Sequence, residues 1–135
     1  MEWDGGGVAP CSIGVDMVEI GRIAAAHGRH GDGFLLRLFT DDELAHCRVQ
    51  KNPYPSLAAR FATKEAVAKA LHTGFGQHLT FRSVAVAIGV DGAPTIQLDR
   101  AGAQALQRMG GIRVLISMAH CRRYAIAQAV IVCRQ

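Results

Sequence analysis

Apolar and polar positions along the chain change period several times, and each change marks an element. Over residues 11–18, Ile13, Val15 and Met17 fall on one side and Gly14 and Asp16 on the other. That alternation predicts a strand. Residues 19–27 take helical spacing, with Gly28 and Gly31 fraying the end. Residues 34–39 form a short apolar turn or helix. Thr40-Asp41-Asp42-Glu43 reads as a capping box that opens a helix running to about Gln50. Asn52-Pro53-Tyr54-Pro55 interrupts the chain, and Ser56 can cap a long helix through Leu71, ended by Gly74 and Gly76. Residues 80–88 and 95–98 predict strands joined at Asp91-Gly92. Asp99 caps a helix to about Met109, closed by Gly110-Gly111. Strands over 112–119 and 124–132 flank the loop His120-Cys121-Arg122-Arg123. This order predicts an α+β fold with a mainly antiparallel sheet and a long central helix. Residues 1–10 read as a loose lead-in and 11–135 as one domain.

Within the long predicted helix the charges break the pattern. At roughly 100° per residue, Arg60, Thr63 and Lys64 share a polar side. Glu65 and Lys69 fall nearly opposite, among Leu57, Ala58, Phe61, Ala62 and Ala66. Charge on an apolar face is costly unless it is paired or used. Asp16 repeats the anomaly in an apolar strand. Two misplaced carboxylates, Asp16 and Glu65, point to a divalent metal such as Mg²⁺, which takes one or two carboxylates plus waters and phosphates. Lys64 and Lys69 beside them point to a phosphorylated ligand. Gly74-Phe75-Gly76 suits close backbone approach, and His120 ends a strand before a basic loop. Such parts suit transfer from a diphosphate, where positioning and charge stabilisation do most of the catalysis.

Composition narrows the class. Half of the 135 residues are apolar, enough for a core and against disorder. No apolar run approaches the ~20 residues of a membrane span, and the start carries no signal-peptide pattern. Cys11, Cys47, Cys121 and Cys133 are scattered without CxxC spacing. They predict reduced thiols and a cytoplasmic setting rather than a disulfide framework or a zinc site. The net charge of +4 favours acidic or phosphorylated partners.

The segments Gly14-Val15-Asp16-Met17-Val18-Glu19-Ile20, Arg60-Phe61-Ala62-Thr63-Lys64-Glu65-Ala66 with Lys69, Thr73-Gly74-Phe75-Gly76, and Ile116-Ser117-Met118-Ala119-His120 followed by Tyr124-Ala125 come in one order. The ordered set resembles the holo-(acyl-carrier-protein) synthases, small single-domain 4′-phosphopantetheinyl transferases, over about residues 12–132. The resemblance implies transfer of phosphopantetheine from coenzyme A to a serine of apo acyl carrier protein. Adenosine 3′,5′-bisphosphate is released, in the service of fatty acid biosynthesis and lipid metabolism. It makes Asp16 and Glu65 magnesium ligands, with Asp16, Glu65 and Lys69 catalytic. It lays Arg60, Lys64, Lys69, Gly74, Gly76 and His120 along coenzyme A. It also implies a homotrimer with sites between subunits, and Arg22 and Arg29 as contacts for an acidic carrier helix. Glu65 or a water on the cation takes the serine proton. The chain departs from the family's pattern at Asp32-Gly33, Ala93 and Cys121-Arg122-Arg123.

Plainer readings stand beside these. Glu65 and Lys69 are spaced for an ordinary helix ion pair. Asp16 could cap a strand end, His120 could be structural, and Arg60 and Lys64 could be a solvated face. His27-x-x-His30 lacks a third ligand and reads as surface. Ser117 lacks the setting of a hydrolase nucleophile. Two other functions compete: a non-catalytic trimeric relative, and a basic nucleic-acid-binding domain. Retention of Asp16, Glu65 and Lys69 argues against the first, and the scarcity of aromatics against the second.

Overall fold

The computed structural model describes residues 7–135. β1 (Val8–Glu19) runs directly into α1 (Ile20–His30), followed by α2 (Asp32–Leu38), α3 (Asp41–Arg48) and α4 (Tyr54–Ala70). A 3₁₀ turn (Phe81–Ser83) leads into β2 (Val84–Ile88) and β3 (Pro94–Leu98), then α5 (Arg100–Arg108), β4 (Gly111–His120) and β5 (Tyr124–Arg134). Two antiparallel sheets result, β1-β5-β4 and the hairpin β2-β3, as the α+β reading expects.

The central event is α4 lying across the β1-β5-β4 sheet. The strand faces it meets carry small side chains. Gly14 pairs with Ala129 and Asp16 with Ala127, and both alanines are buried. From α4 come Ala62, Ala66 and Ala70, also buried. A Cβ on Gly14 would lie 2.0 Å from the Ala66 carbonyl oxygen and 2.9 Å from the Ala70 amide nitrogen. No side chain fits there, so glycine is required by closeness, not by backbone dihedrals. Ser12 adds a tie, its Oγ donating to the Ala70 carbonyl at 2.6 Å.

The opposite face of the sheet is largely apolar and is uncovered among the described residues. Ile13, Val15 and Met17 are 67, 53 and 63% exposed, and Ile126 and Leu115 continue the patch on the neighbouring strands. So Ile13, Val15 and Met17 point out, and Gly14, Asp16 and Val18 point in.

Several boundaries differ from the sequence pattern for local reasons. β1 begins at Val8, so residues 8–10 belong to the sheet rather than to a lead-in; the rest of that stretch, up to residue 6, lies outside the described residues. α1 continues through Gly28 to His30, and Gly31, at φ 70°, caps it. The short apolar stretch is a helix, α2. The capping box forms: Glu43 donates its backbone N–H to Thr40 Oγ1 while its carboxylate accepts from the Thr40 amide. α4 starts at Tyr54, not at Ser56, because Pro53 occupies the cap and Pro55 sits in the first turn, where no N–H is needed. Residues 81–83 form the 3₁₀ turn instead of extending β2. Asp99 caps α5 as its type and place predict, accepting from the Gly102 amide at 2.9 Å.

The cysteines are not all free thiols. Cys11 and Cys133 are joined in a disulfide across β1 and β5, with Cα atoms 5.8 Å apart and a sequence separation of 122. Cys11 sits at the register shift between Pro10 and Ser12, which brings it beside Cys133. Pairing at such a separation has no spacing signature. Cys47 is buried and free, and Cys121 is exposed and free.

Two predictions follow from this packing. Gly14→Ala must push α4 off the sheet, and its stability, read by urea unfolding, should fall by about 3 kcal/mol or more. A loss under about 0.5 kcal/mol would mean the contact is not tight. Reducing the disulfide, or Cys11→Ser, should lower the unfolding midpoint by an amount worth roughly 2–5 kcal/mol. An unchanged midpoint in the reduced protein would show that the bond does not restrain the chain.

Candidate active site

Because α4 lies so close to β1, Asp16, Glu65 and Lys69 meet at one place. Lys69 Nζ donates to Asp16 Oδ1 at 3.1 Å and to the Val15 carbonyl at 2.9 Å. The ordinary i, i+4 pair between Glu65 and Lys69 does not form; Lys69 turns to the strand instead. Asp16 and Glu65 face a cleft of ≈ 420 Å³ lined also by Val18, Arg22, Ile23 and Phe61. Burial pushes the Glu65 carboxyl above the usual carboxylate range, the Asp16 charge adds to that, and the Lys69 ammonium opposes it. Two carboxylates crowded at the mouth of one cleft repel, and a cation between them relieves the repulsion.

This donor set fits Mg²⁺. No three His, Cys, Asp or Glu side chains cluster at metal-binding distance among the described residues. Mg²⁺ needs no such trio, since two carboxylates completed by waters and substrate phosphates suffice.

The faces of α4 are reversed from the sequence expectation. Glu65 is half-buried and Lys69 exposed, whereas Arg60, Thr63 and Lys64 are buried. The reason is that α4 is covered on two sides, by the sheet and by α3 with β2. Lys64 is the clearest correction. It is 0% exposed, and its Nζ donates to Glu43 Oε1 at 2.7 Å, the Phe81 carbonyl at 2.9 Å and the Val84 carbonyl at 2.7 Å. All three N–H groups of the ammonium are used, so Lys64 has none left for coenzyme A. Burial pulls its pKa down, and the Glu43 carboxylate opposes that shift.

Arg60 is 3% exposed and differently placed. One guanidinium nitrogen donates to the Ser56 carbonyl at 3.3 Å, while Nε has no partner among the described residues. Among those residues no carboxylate lies within ion-pair distance of it. It lines a second cleft, ≈ 340 Å³, with Thr40, His46, Val86 and Gln97, and with Asp42 also in the wall. A buried, unpaired guanidinium facing open space is an anion site in the making.

Arg22 and Arg29 are both exposed on α1, and Arg22 also borders the Asp16–Glu65 cleft. The amide of Ile20 donates to the Arg123 carbonyl at 2.8 Å, which holds the start of α1 against the β4–β5 loop. Gly74 and Gly76 lie in the loop after α4, and a Cβ on either would meet nothing within 4 Å. The chain itself does not need glycine there; the space is open to a ligand. Phe75 anchors that loop by stacking on Phe81 at 4.0 Å, and Phe61 stacks on Phe81 at 5.6 Å. His120 is exposed at the end of β4, with β5 standing between it and β1. One chain therefore gathers Asp16, Glu65, Lys69 and Arg22, but not Arg60 or His120.

His27 is not a ligand. Its Nδ1 meets the Tyr54 hydroxyl and its Nε2 meets Asp32 Oδ1, both at 2.9 Å. Glu43 is the residue the sequence reading used only as a cap and missed as the partner of Lys64. No local signal pointed to it, since Glu43 and Lys64 are 21 residues apart and meet only through the packing of α3 on α4.

Comparison with known proteins places the chain in a family. A family model described as the 4′-phosphopantetheinyl transferase superfamily matches residues 12–129. The holo-[acyl-carrier-protein] synthase of Chlamydia muridarum is 42% identical over 118 residues, 87% of this chain and 91% of that protein. The synthase of Koribacter versatilis is 38% identical, covering 87% and 94%. The crystal structure of the Neisseria meningitidis synthase superposes with a TM-score of 0.82 at 32% identity, over 89% of this chain and 96% of that one. That of the Helicobacter pylori synthase in complex with coenzyme A gives 0.77 at 31%, over 88% and 98%. By the extent of that family match and of these alignments, the chain belongs to the 4′-phosphopantetheinyl transferase superfamily, with the holo-[acyl-carrier-protein] synthases.

Proposed function

We infer that the protein transfers 4′-phosphopantetheine from coenzyme A to a serine of apo acyl carrier protein, giving holo carrier protein and adenosine 3′,5′-bisphosphate. The observation that carries this is the cleft lined by Asp16 and Glu65, with Lys69 bonded to Asp16 beside it, in a member of a family so named. The solved Helicobacter pylori relative is in complex with coenzyme A, which supports coenzyme A as the substrate here.

Asp16 and Glu65 hold Mg²⁺ in this reading, and the ion, when bound, polarises the diphosphate and offsets its charge. Lys69, held near Asp16 and the Val15 carbonyl, turns its ammonium to the same diphosphate. Glu65, facing the same cleft as Asp16, takes the serine proton. The serine oxygen attacks the phosphorus bearing the pantetheine arm. The bond from that phosphorus to the bridging oxygen breaks, and its electron pair leaves with adenosine 3′,5′-bisphosphate. Gly74 and Gly76 give the substrate room beside α4. Arg60 in its cleft and His120 at the β4 edge bind the nucleotide.

Since one chain does not bring Arg60 or His120 to the Asp16–Glu65 cleft, we assign the complete site to the boundary between subunits of a homotrimer. The uncovered face of Ile13, Val15 and Met17 supports that assembly. Residues 11–135 act as one transferase domain in this account. The reading places the enzyme in the cytoplasm, with coenzyme A and its carrier, and in fatty acid biosynthesis. Among the described residues no helix is long and apolar enough to cross a membrane. The Cys11–Cys133 bond is one that a reducing compartment works against.

Four measurements test this function. Incubation with coenzyme A, Mg²⁺ and apo carrier should add a phosphopantetheine mass to the carrier. Asp16→Ala and Glu65→Ala should reduce that transfer by at least about 10³-fold with folding retained; full activity of either variant in EDTA would refute the assignment. Arg22→Glu should raise the carrier KM several-fold with coenzyme A affinity unchanged, and lessen the salt dependence of transfer. An unchanged carrier KM would put the acidic helix elsewhere. Light scattering at assay concentration should give three times the chain mass; an active monomer would contradict the trimer.

A further inference from the structure

The ion pair between Glu43 and Lys64 lies inside the protein, away from the Asp16–Glu65 cleft, and the transfer chemistry leaves it without a task. Its connections suggest one. Glu43 Oε1 accepts from Lys64 Nζ at 2.7 Å and from the Thr40 amide at 2.9 Å. Glu43 Oε2 accepts from the Val86 amide at 2.9 Å. A single carboxylate thus joins three elements: the cap of α3 at Thr40, β2 at Val86, and α4 through Lys64. Thr40, Val86 and Arg60 are walls of the ≈ 340 Å³ cleft, and Arg60 stands one helical turn before Lys64 on α4.

Burying such a pair is costly. Replacing buried ion pairs with apolar residues is often neutral or stabilising, so stability alone is a weak account of this one. Geometry is a better one. A carboxylate with two oxygens can hold two backbone amides and an ammonium at fixed separations, and no apolar side chain can do so. The Arg60 guanidinium, bonded to the Ser56 carbonyl, lines the cleft that this frame borders.

We propose that Glu43 is a positioning residue for the nucleotide half of coenzyme A: it sets the width of the cleft into which Arg60 opens, acting through the Thr40 and Val86 amides and through Lys64. It touches no substrate. This rests on the reading that the Arg60 cleft takes an anionic part of the nucleotide.

Glu43→Gln separates positioning from folding. The amide can keep one oxygen toward Lys64 and Thr40 but sets an NH₂ group against the Val86 N–H, so the tie to β2 is lost. The KM for coenzyme A and the Kd for adenosine 3′,5′-bisphosphate should rise about five- to ten-fold, with the carrier KM unchanged. A merely structural role lowers the folded fraction, and therefore apparent kcat, without moving KM. Val67→Ala, a core change outside this cleft, serves as the control and should leave KM in place. If Glu43→Gln folds and both KM and Kd stay within two-fold of wild type, the proposal is wrong. In the unaltered protein, adenosine 3′,5′-bisphosphate should slow hydrogen exchange at the Val86 amide. Unchanged exchange there at saturating ligand would also overturn the proposal, whether or not the variant folds. Arg60→Gln keeps the two failures apart. If it too leaves the nucleotide Kd unchanged, the reading of the cleft has failed; if it weakens binding while Glu43→Gln does not, only the role of Glu43 has.

Discussion

Everything about the candidate site depends on how closely α4 approaches β1, and that approach depends on one missing side chain. With Gly14 at the contact, the Ala66 carbonyl reaches the strand where a Cβ would stand 2.0 Å away. Glu65 is the residue beside Ala66, and Asp16 is two positions along the strand from Gly14. A helix held at that distance carries Glu65 to the cleft facing Asp16 and Lys69 to the strand backbone. The alanines on both sides have the same purpose. Larger residues would bury more apolar area but would separate the two carboxylates from each other.

The fold forms two kinds of buried contact around α4, and they do different work. Toward the sheet the packing is small and apolar, and it delivers charge to a cleft that opens to solvent. Toward α3 and β2 the helix buries Lys64 with Glu43, and every donor of the ammonium is satisfied. The half-satisfied group is Arg60, and it borders a cleft. Saturated charge inside and unsaturated charge at clefts is the pattern expected when polar burial is tolerated only for structure or for ligand binding.

Much of this was legible in the residues. The Thr40–Glu43 capping box, the Asp99 cap and the Asp91-Gly92 turn each depend on a few neighbouring residues, and each formed. Asp16 and Glu65 stood out because a carboxylate among apolar residues needs a reason. What failed was the assignment of faces on α4. A helical wheel shows which residues share a side, but not which side is covered, and α4 is covered on two. Lys64 therefore read as a ligand contact when its partners were Glu43 and two carbonyls. The Cys11–Cys133 bond was illegible for a related reason: it depends on a register shift in β1 and on strands brought together from opposite ends of the chain.

The central claim is that the β1–α4 contact builds one divalent-cation site from Asp16 and Glu65. The most direct measurement is a crystal structure with coenzyme A and Mn²⁺ in place of Mg²⁺, the metal located by its anomalous signal. The account predicts one peak between the two carboxylates, within about 2.3 Å of an oxygen from each, with diphosphate oxygens completing its shell. A peak elsewhere, or one contacting neither Asp16 nor Glu65 in crystals of active enzyme, would contradict it.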